Sequence, residues 1–577
     1  MSIQHSLEPT GVSTTNTVVD RDSSDARPAL GSAFSGKTLT ISAPDPVDVH
    51  GVRHTHTRED TLDPRLAPSI IPPEHPHRTL VLCFDGTGDQ FDADNSNIVQ
   101  LVSLLKKNDR QKQMVYYQAG IGTYTSPKVV TPFMSSVSKT LDQMFAWNLD
   151  AHVMGGYEFL MQNYVEGDRI CIFGFSRGAY TARSLAGMIH KVGLLPADNF
   201  QQVPFAYKMY TRADDIGWEQ SNAFKAAFSI DVDIEFLGVW DTVSSVGLIP
   251  KRLPFTTSNT IVRTFRHAVA LDERRAKFKA NLWNRPSPEE EQLGLPTMTD
   301  KPVGGSPIPF IRGLKKDKSQ KRESSGSSEE KEERELSNFE RIYSEKNNST
   351  TDIEEVWFSG CHCDVGGGSV SNKTRNSLAR IPLRWMVREC FRKNSGIMFH
   401  AHRLRDIGLD PTTLYPFVTP RPPPLPVGSL TVEKISLPSR IKRMFSHFRG
   451  HPPPDISSST STSSTEKKSD IDAVIRTEEE EDLYDSMSPI YDQLCLQRIW
   501  WLLEIIPLNL RYQKGDNQWV DSVTINMAAP RFIPKQKDRG FKVHRTVKQR
   551  MDAAYPASRK KKYMPKPEFK VDPTWVD

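Results

Sequence analysis

The sequence predicts an α/β fold: a mainly parallel sheet flanked by helices and interrupted by long disordered insertions. Three observations carry that expectation. Short apolar runs of strand length alternate with stretches of helical spacing, the pattern of strand–helix–strand units. A Gly-x-Ser-x-Gly sequence, Gly174-Phe175-Ser176-Arg177-Gly178, falls between one such run and one such stretch. Two stretches rich in Ser, Pro, Lys and Glu, about 285–350 and 418–486, break the alternation without any hydrophobic period.

Taken in order, residues 1–76 are rich in Ser, Thr, Asp, Pro and His and read as a disordered arm. TLVLCF (79–84) is an apolar strand stopped by the turn formers Asp85-Gly86. Asn97 caps IVQLVSLLKK, with Ile98, Leu101, Val102 and Leu105 on one helical face. VYYQ (115–118) is a second strand, 140–164 has helical spacing, and RICIF (169–173) is a third strand. After the serine turn, Ala179, Ala182, Ala186 and Ile189 recur at helical spacing. IEFLGVW (234–240) and EEVWFSG (354–360) are further strands, whereas the stretch after His267 looks helical. The resulting organisation is one α/β domain over 77–417 carrying the insert, a low-complexity linker over 418–486, and a C-terminal part over 487–577.

Composition narrows the class. A hydrophobic fraction of 37% across 577 residues is low for a uniformly packed chain, yet leaves enough apolar residues for a large core. Six cysteines exclude a disulfide scaffold. Cys361 and Cys363 flank His362 but lack a second ligand pair at zinc spacing, so no metal is expected. The N-terminus shows no basic segment followed by an apolar one, and 494–510 is broken by Gln497, Arg498, Glu504 and Pro507. A soluble cytoplasmic protein without signal peptide or membrane span is the expectation. The net charge of +5 resides in the tail, where 535–577 holds 13 basic and 5 acidic residues. Its RKKK run (559–562) accompanies no recognition fold, so nucleic acid is not an expected partner.

The chemistry centres on Ser176. A nucleophilic serine on a sharp strand-to-helix turn needs small residues two before and two after it, here Gly174 and Gly178. Its hydroxyl needs a histidine to take its proton and an acid to orient that histidine. Asp241, where IEFLGVW meets its loop, suits the acid; a turn-capping role is the plainer alternative. His362, at a strand end in the loop Cys361-His362-Cys363-Asp364-Val365-Gly366-Gly367-Gly368, suits the base. His267 and His544 are its rivals among 15 histidines, and Asp364 is either a local backbone anchor or an acid. An oxyanion needs two N–H donors: the Arg177 amide, and one from the loop Asp85-Gly86-Thr87-Gly88, with Gly86 and Thr87 favoured. Asp-Gly-Thr after a strand also resembles phosphatases of the haloacid dehalogenase type. Their nucleophilic Asp would fall at Cys83, which disfavours that chemistry. Asp89, Asp92 and Asp94 lack the Gly and Glu of a calcium loop.

FDGT, YYQAGIGTY, GFSRGAYTAR, VWDTV, FRHAVALDERR and WFSGCHCDVGGG occur in an order that resembles the α/β-hydrolase family of type VI secretion phospholipase effectors and their fungal relatives. The resemblance covers about 78–400, and WWLLEIIPL, INMAAPRFIP and VHRTVKQRM resemble the fungal branch. It implies an α/β-hydrolase-like fold and a Ser-Asp-His lipid or ester hydrolase, with Ser176, Asp241 and His362 at the motif positions and no cofactor. Asp89 stands where the family typically has Asn, and Cys363 at a usually small or variable position. The expected substrate is a lipid or phospholipid ester; a soluble short-chain esterase and a catalytically silent binding protein are the alternatives. A basic amphipathic stretch, 437–450, with Ile441, Met444, Phe445 and Phe448 on one face, is a candidate for weak membrane-surface contact.

Overall fold

Each strand of the central sheet is paired in parallel with its neighbour. In chain order the strands are β1 (Thr79–Phe84), β2 (Gln113–Gln118), β3 (Arg169–Phe175), β4 (Ile234–Trp240), β5 (Val262–Ala270), β6 (Asp352–Phe358), β7 (Lys542–His544) and β8 (Thr574–Val576). Across the sheet they run β8-β7-β6-β5-β4-β3-β1-β2, so the chain starts one strand in from an edge, steps out to β2, and returns past β1 to build the rest of the sheet. The computed structural model describes residues 67–120, 134–243, 252–284, 351–435 and 476–577, apart from 516–517, 535, 538–539 and 556–557, together with Leu336 and Glu340. These residues lie in one compact unit, Asp63–Asp577.

Both faces of the sheet are covered, which is why its central strands read as continuous apolar runs. On one face Leu80, Leu82, Phe84, Ile170, Ile172, Leu237 and Val239 pack under helices α2 (Met134–Asn163), α3 (Ser176–Val192) and α4 (Val203–Thr211). On the other, Val81, Cys83, Cys171, Phe173, Phe236 and Trp240 pack under α1 (Asn97–Leu104) and a later helix, Arg380–Arg392. Successive residues of a strand thus serve opposite layers. Cys83 and Cys171 are buried thiols in that second layer. Among the described residues no helix is long and apolar enough to cross a membrane.

Several expectations need correction. The ordered chain begins before 77: Ile70–Ile71 pairs antiparallel with Phe399–His400, and Ile71 is fully buried. From His267 to Ala270 the chain is strand, not helix, because β5 lies between β4 and β6 and is buried along most of its length, and only the short 3-10 turn Ala276–Phe278 follows. The acidic end of 418–486 is not a solvated linker. Glu478–Met487 is a helix with Thr477 and Glu480 in a capping box, and its buried carboxylates meet arginines from elsewhere. Asp482 accepts from Arg384 at 2.6 Å, Asp485 forms an ion pair with it at 2.7 Å, Arg421 reaches Asp482 at 2.9 Å, and Arg388 pairs with Glu478. The tail around His544 is likewise built in, as β7 and β8. The arm 1–66, most of the insert 285–350, and the amphipathic stretch 437–450 lie outside the described residues.

Candidate active site

Parallel strands bring their C-terminal ends to one edge of the sheet, and the loops that follow them share that edge. Ser176 follows β3 directly and opens α3, while Asp241 follows β4, the next strand. His362 begins the short helix His362–Gly366 just after β6. The turn at Ser176 is sharp: its φ is +59°, a left-handed value a non-glycine residue rarely adopts, and Asp241 shares that region at +41°. The flanking glycines are sterically required. A Cβ at Gly174 would lie 2.5 Å from the Ala179 Cα, and one at Gly178 would lie 2.4 Å from the Phe84 carbonyl oxygen.

The three side chains form one hydrogen-bonded line. The Ser176 Oγ stands 2.8 Å from His362 Nε2, and His362 Nδ1 stands 2.5 Å from Asp241 Oδ2. With Nδ1–H donated to the carboxylate, Nε2 is left to accept from the serine hydroxyl. All three residues are buried. The imidazole meets two aromatic rings, Phe175 with centroids 4.8 Å apart and Phe278 in a T-shaped contact at 4.9 Å. Burial therefore dominates its titration and lowers the His362 pKa below the usual 6.5, against the opposing hydrogen bond to the Asp241 carboxylate.

Asp241 behaves oppositely. Burial alone would raise its pKa, but Arg531 and His362 outweigh burial and hold the carboxyl well below the usual carboxylate range. Arg531 grips it in bidentate fashion, Nη1 to Oδ1 at 2.5 Å and Nη2 to Oδ2 at 2.8 Å, and the Ala270 amide donates to Oδ1 at 2.8 Å. Nothing in the sequence singles out Arg531. It lies 290 residues from Asp241 in a loop with no periodic signal, and no spacing rule connects the two.

The other sequence candidates have different partners. His267 accepts from the Thr242 amide at 3.1 Å through Nε2 and meets Glu355 at 3.0 Å through Nδ1, so it braces the backbone beside Asp241. His544 caps the helix Arg545–Asp552, bonds Thr546, and stacks on Phe358. Asp364 takes the anchoring role of its two alternatives, accepting the Cys361 and Tyr491 amides at 2.9 Å each. Cys361 donates to the Asp272 carbonyl. Among the described residues no group of three or more His, Cys, Asp or Glu could hold a metal ion.

The loop after β1 lies against the serine turn, as the approach of Gly178 to Phe84 and Asp85 shows. Asp85 shapes it, accepting from the Gly86 amide at 2.8 Å, Ser96 Oγ at 2.6 Å and Tyr117 OH at 2.8 Å. The Gly86 amide is therefore occupied by its neighbour's carboxylate, which corrects its expected role as an oxyanion donor. The Thr87 Oγ1 is buried without a partner among the described residues. The Arg177 amide lies in the first turn of α3, where the helix supplies no acceptor and its dipole is positive.

Sheet, sharp serine turn and loop-borne histidine and carboxylate together define an α/β-hydrolase-like protein. The family model described as the T6SS phospholipase effector Tle1-like catalytic domain matches residues 78–389, and the chain belongs to that family. It is 30% identical to the uncharacterized protein YEL023C of Saccharomyces cerevisiae, over 83% of this chain and 80% of the yeast protein. Among solved structures it resembles an uncharacterized protein from Pseudomonas aeruginosa, at 17% identity and a TM-score of 0.28 over 56% of this chain and 46% of that one. It also resembles the Tle1 effector bound to the VgrG spike of the type 6 secretion system, at 17% identity and a TM-score of 0.22 over 51% and 52%. The chain thus spans about half the length of those two solved chains. Family membership suggests a hydrolase of the lipase or phospholipase type.

Proposed function

We propose that this chain is a serine hydrolase of carboxylic esters, with a lipid or phospholipid ester as its substrate class. The observation that carries this reading is the line from Ser176 through His362 to Asp241, buried and set on strained backbone at Ser176 and Asp241. Strain of about 1–3 kcal/mol per such residue persists where the surroundings over-determine it, as at reactive sites.

In this mechanism Ser176 Oγ attacks the acyl carbon as its proton passes to His362 Nε2, and Asp241 holds the imidazolium that results. The oxyanion forms at the N-terminus of α3, beside the Arg177 amide, with Thr87 as the donor offered by the β1 loop. Collapse breaks the ester bond; the leaving alkoxide takes the proton from His362, and the acyl group stays on Ser176. Water then gives a proton to His362 and attacks the acyl-serine. A second collapse returns that proton to Ser176 and releases the acid. No cofactor enters these steps.

A lipid ester is favoured by the family's phospholipase description and by the surface near His362. Trp500 meets Phe278 edge-on at 5.7 Å, and beside it Ile499, Trp501, Leu502 and Ile505 are exposed. Aromatic and aliphatic side chains of this kind suit the boundary of a lipid layer. A panel of phospholipid vesicles and soluble esters, assayed with wild type and Ser176→Ala, tests the reading. Hydrolysis of phospholipid above the soluble esters, lost in Ser176→Ala, supports it. Hydrolysis of soluble esters alone would point to a short-chain esterase, and equal rates in both proteins would reject the serine.

A further inference from the structure

We propose that the C-terminal turn Asn526–Arg531, outside the matched catalytic domain, is a positioning element of the active site: it delivers Arg531 to Asp241 and so fixes the carboxylate on His362. The inference rests on the reading of Ser176, His362 and Asp241 as the reacting set.

Arg531 is buried, and its hydrogen bonds account for all the donors a guanidinium has. Nε donates to the Phe278 carbonyl at 3.0 Å, Nη1 to Asp241 Oδ1 and the Ala270 carbonyl, and Nη2 to Asp241 Oδ2 and the Phe278 carbonyl. A guanidinium has five N–H groups, so none remains for a substrate. Arg531 therefore acts through Asp241. The carboxylate is saturated in turn: Oδ1 takes the Ala270 amide and Nη1, and Oδ2 takes His362 Nδ1 and Nη2. Without Arg531, one contact per oxygen would remain, and the carboxylate could turn away from the imidazole.

The turn that carries Arg531 is itself held under strain. Met527 and Ala528 are consecutive non-glycine residues at φ of +47° and +56°. Glu504 maintains them. Its buried carboxylate accepts from the Ala528 amide at 2.8 Å, Asn526 Nδ2 at 2.5 Å and the Ala276 amide at 2.7 Å. Its backbone carbonyl takes the Met527 amide at 3.0 Å. Asn526 also reaches the Arg274 carbonyl at 2.8 Å. Glu504 thus ties the turn to the segment that ends in Phe278, whose carbonyl receives Arg531 and whose ring meets His362. A purely structural clamp would need to join these loops; it would not need a fork aimed at both oxygens of Asp241.

The test compares wild type, Arg531→Gln, Arg531→Lys, Arg531→Ala and Ser176→Ala as full-length chains hydrolysing 4-nitrophenyl butyrate, with folding followed by circular dichroism and thermal melting. The expected result is a folded Arg531→Gln whose kcat falls on the order of 10²-fold, the scale of a small misplacement of a reacting group. KM should stay within about twofold, because Arg531 touches no substrate. Arg531→Lys, which keeps the charge without the fork, should retain more activity than Arg531→Gln but less than wild type. Added guanidinium should restore part of the Arg531→Ala rate. Wild-type kcat in Arg531→Gln, or a loss that follows only the unfolded fraction and ignores guanidinium, would overturn the inference. Should Arg531→Gln not fold, the kcat of Arg531→Lys decides in the same way. Ser176→Ala separates the two readings: if it stays active, the reacting set itself is wrong, whereas if it alone is inactive, only the role of Arg531 fails.

Discussion

The His362 imidazole packs against the Phe175 ring, their centroids 4.8 Å apart, and meets the Phe278 ring at 4.9 Å. Burial among such apolar neighbours bears on the protonation state of the base. Burial, the largest influence, disfavours the imidazolium; Asp241 and Glu273 favour it, and Arg275 disfavours it. The balance is a pKa below 6.5, and the reaction needs neutral His362. Activity should therefore persist below the usual imidazole range and fall only as pH drops through the lowered value. A pH profile of kcat/KM measures this, and an acid limb at or above 6.5 would contradict it. Phe278→Ala, which admits water, should move that limb upward.

The glycines around the serine turn should tolerate no side chain. At Gly178 a Cβ would meet the Asp85 and Phe84 carbonyl oxygens at 2.3 and 2.4 Å, and these are backbone atoms. At Gly366 it would meet the Phe175 ring at 1.8 Å. Each Gly→Ala variant should lose about 1–3 kcal/mol of stability or more. Gly178→Ala should also lose at least tenfold in kcat, since Ser176 sits two residues away. Urea unfolding and ester hydrolysis check both, and unchanged midpoints and rates would show that the turn has room.

Arg384 holds two carboxylates in the interior, Asp482 and Asp485, and is itself 1% exposed. Removing it as Arg384→Met would leave both without this partner in a buried site, at a cost of about 3–5 kcal/mol. Acid should act on the same cluster. Burial raises the Asp482 pKa, but Arg421 and Arg384 overcome that effect and hold it below the ordinary value of 3.8. A depressed carboxylate contributes stability that is present above its unfolded pKa and lost as pH falls below it. Denaturant midpoints measured from pH 7 to pH 3 should thus decline more steeply in wild type than in Arg384→Met. Parallel curves would contradict this account of the cluster.

The strands that run through the middle of the core were legible because burial on both faces leaves an unbroken apolar run. TLVLCF and IEFLGVW coincide with β1 and β4, and RICIF falls within β3. Ser176, Asp241 and His362 were legible for a related reason: each directly follows such a run or its loop. The misreadings share a cause as well. β5 contains HAVA followed by acidic and basic residues, a helical composition overridden by its place between two strands. The acidic helix Glu478–Met487 looked solvated because its arginine partners lie far away in sequence, about 90 residues in the case of Arg388 and Glu478. β7 and β8 are three residues each, too short to carry a period. Arg531 was hidden because a single buried arginine shows its role only beside its carboxylate.

Mass-spectrometric location of the adduct formed by a fluorophosphonate, which reacts with activated serines, tests whether Ser176 is the nucleophile. A single adduct is expected on Ser176, absent from Ser176→Ala and strongly slowed in His362→Ala, in proteins whose circular dichroism is unchanged. An adduct that forms elsewhere, or at the same rate when His362 is replaced, would contradict it.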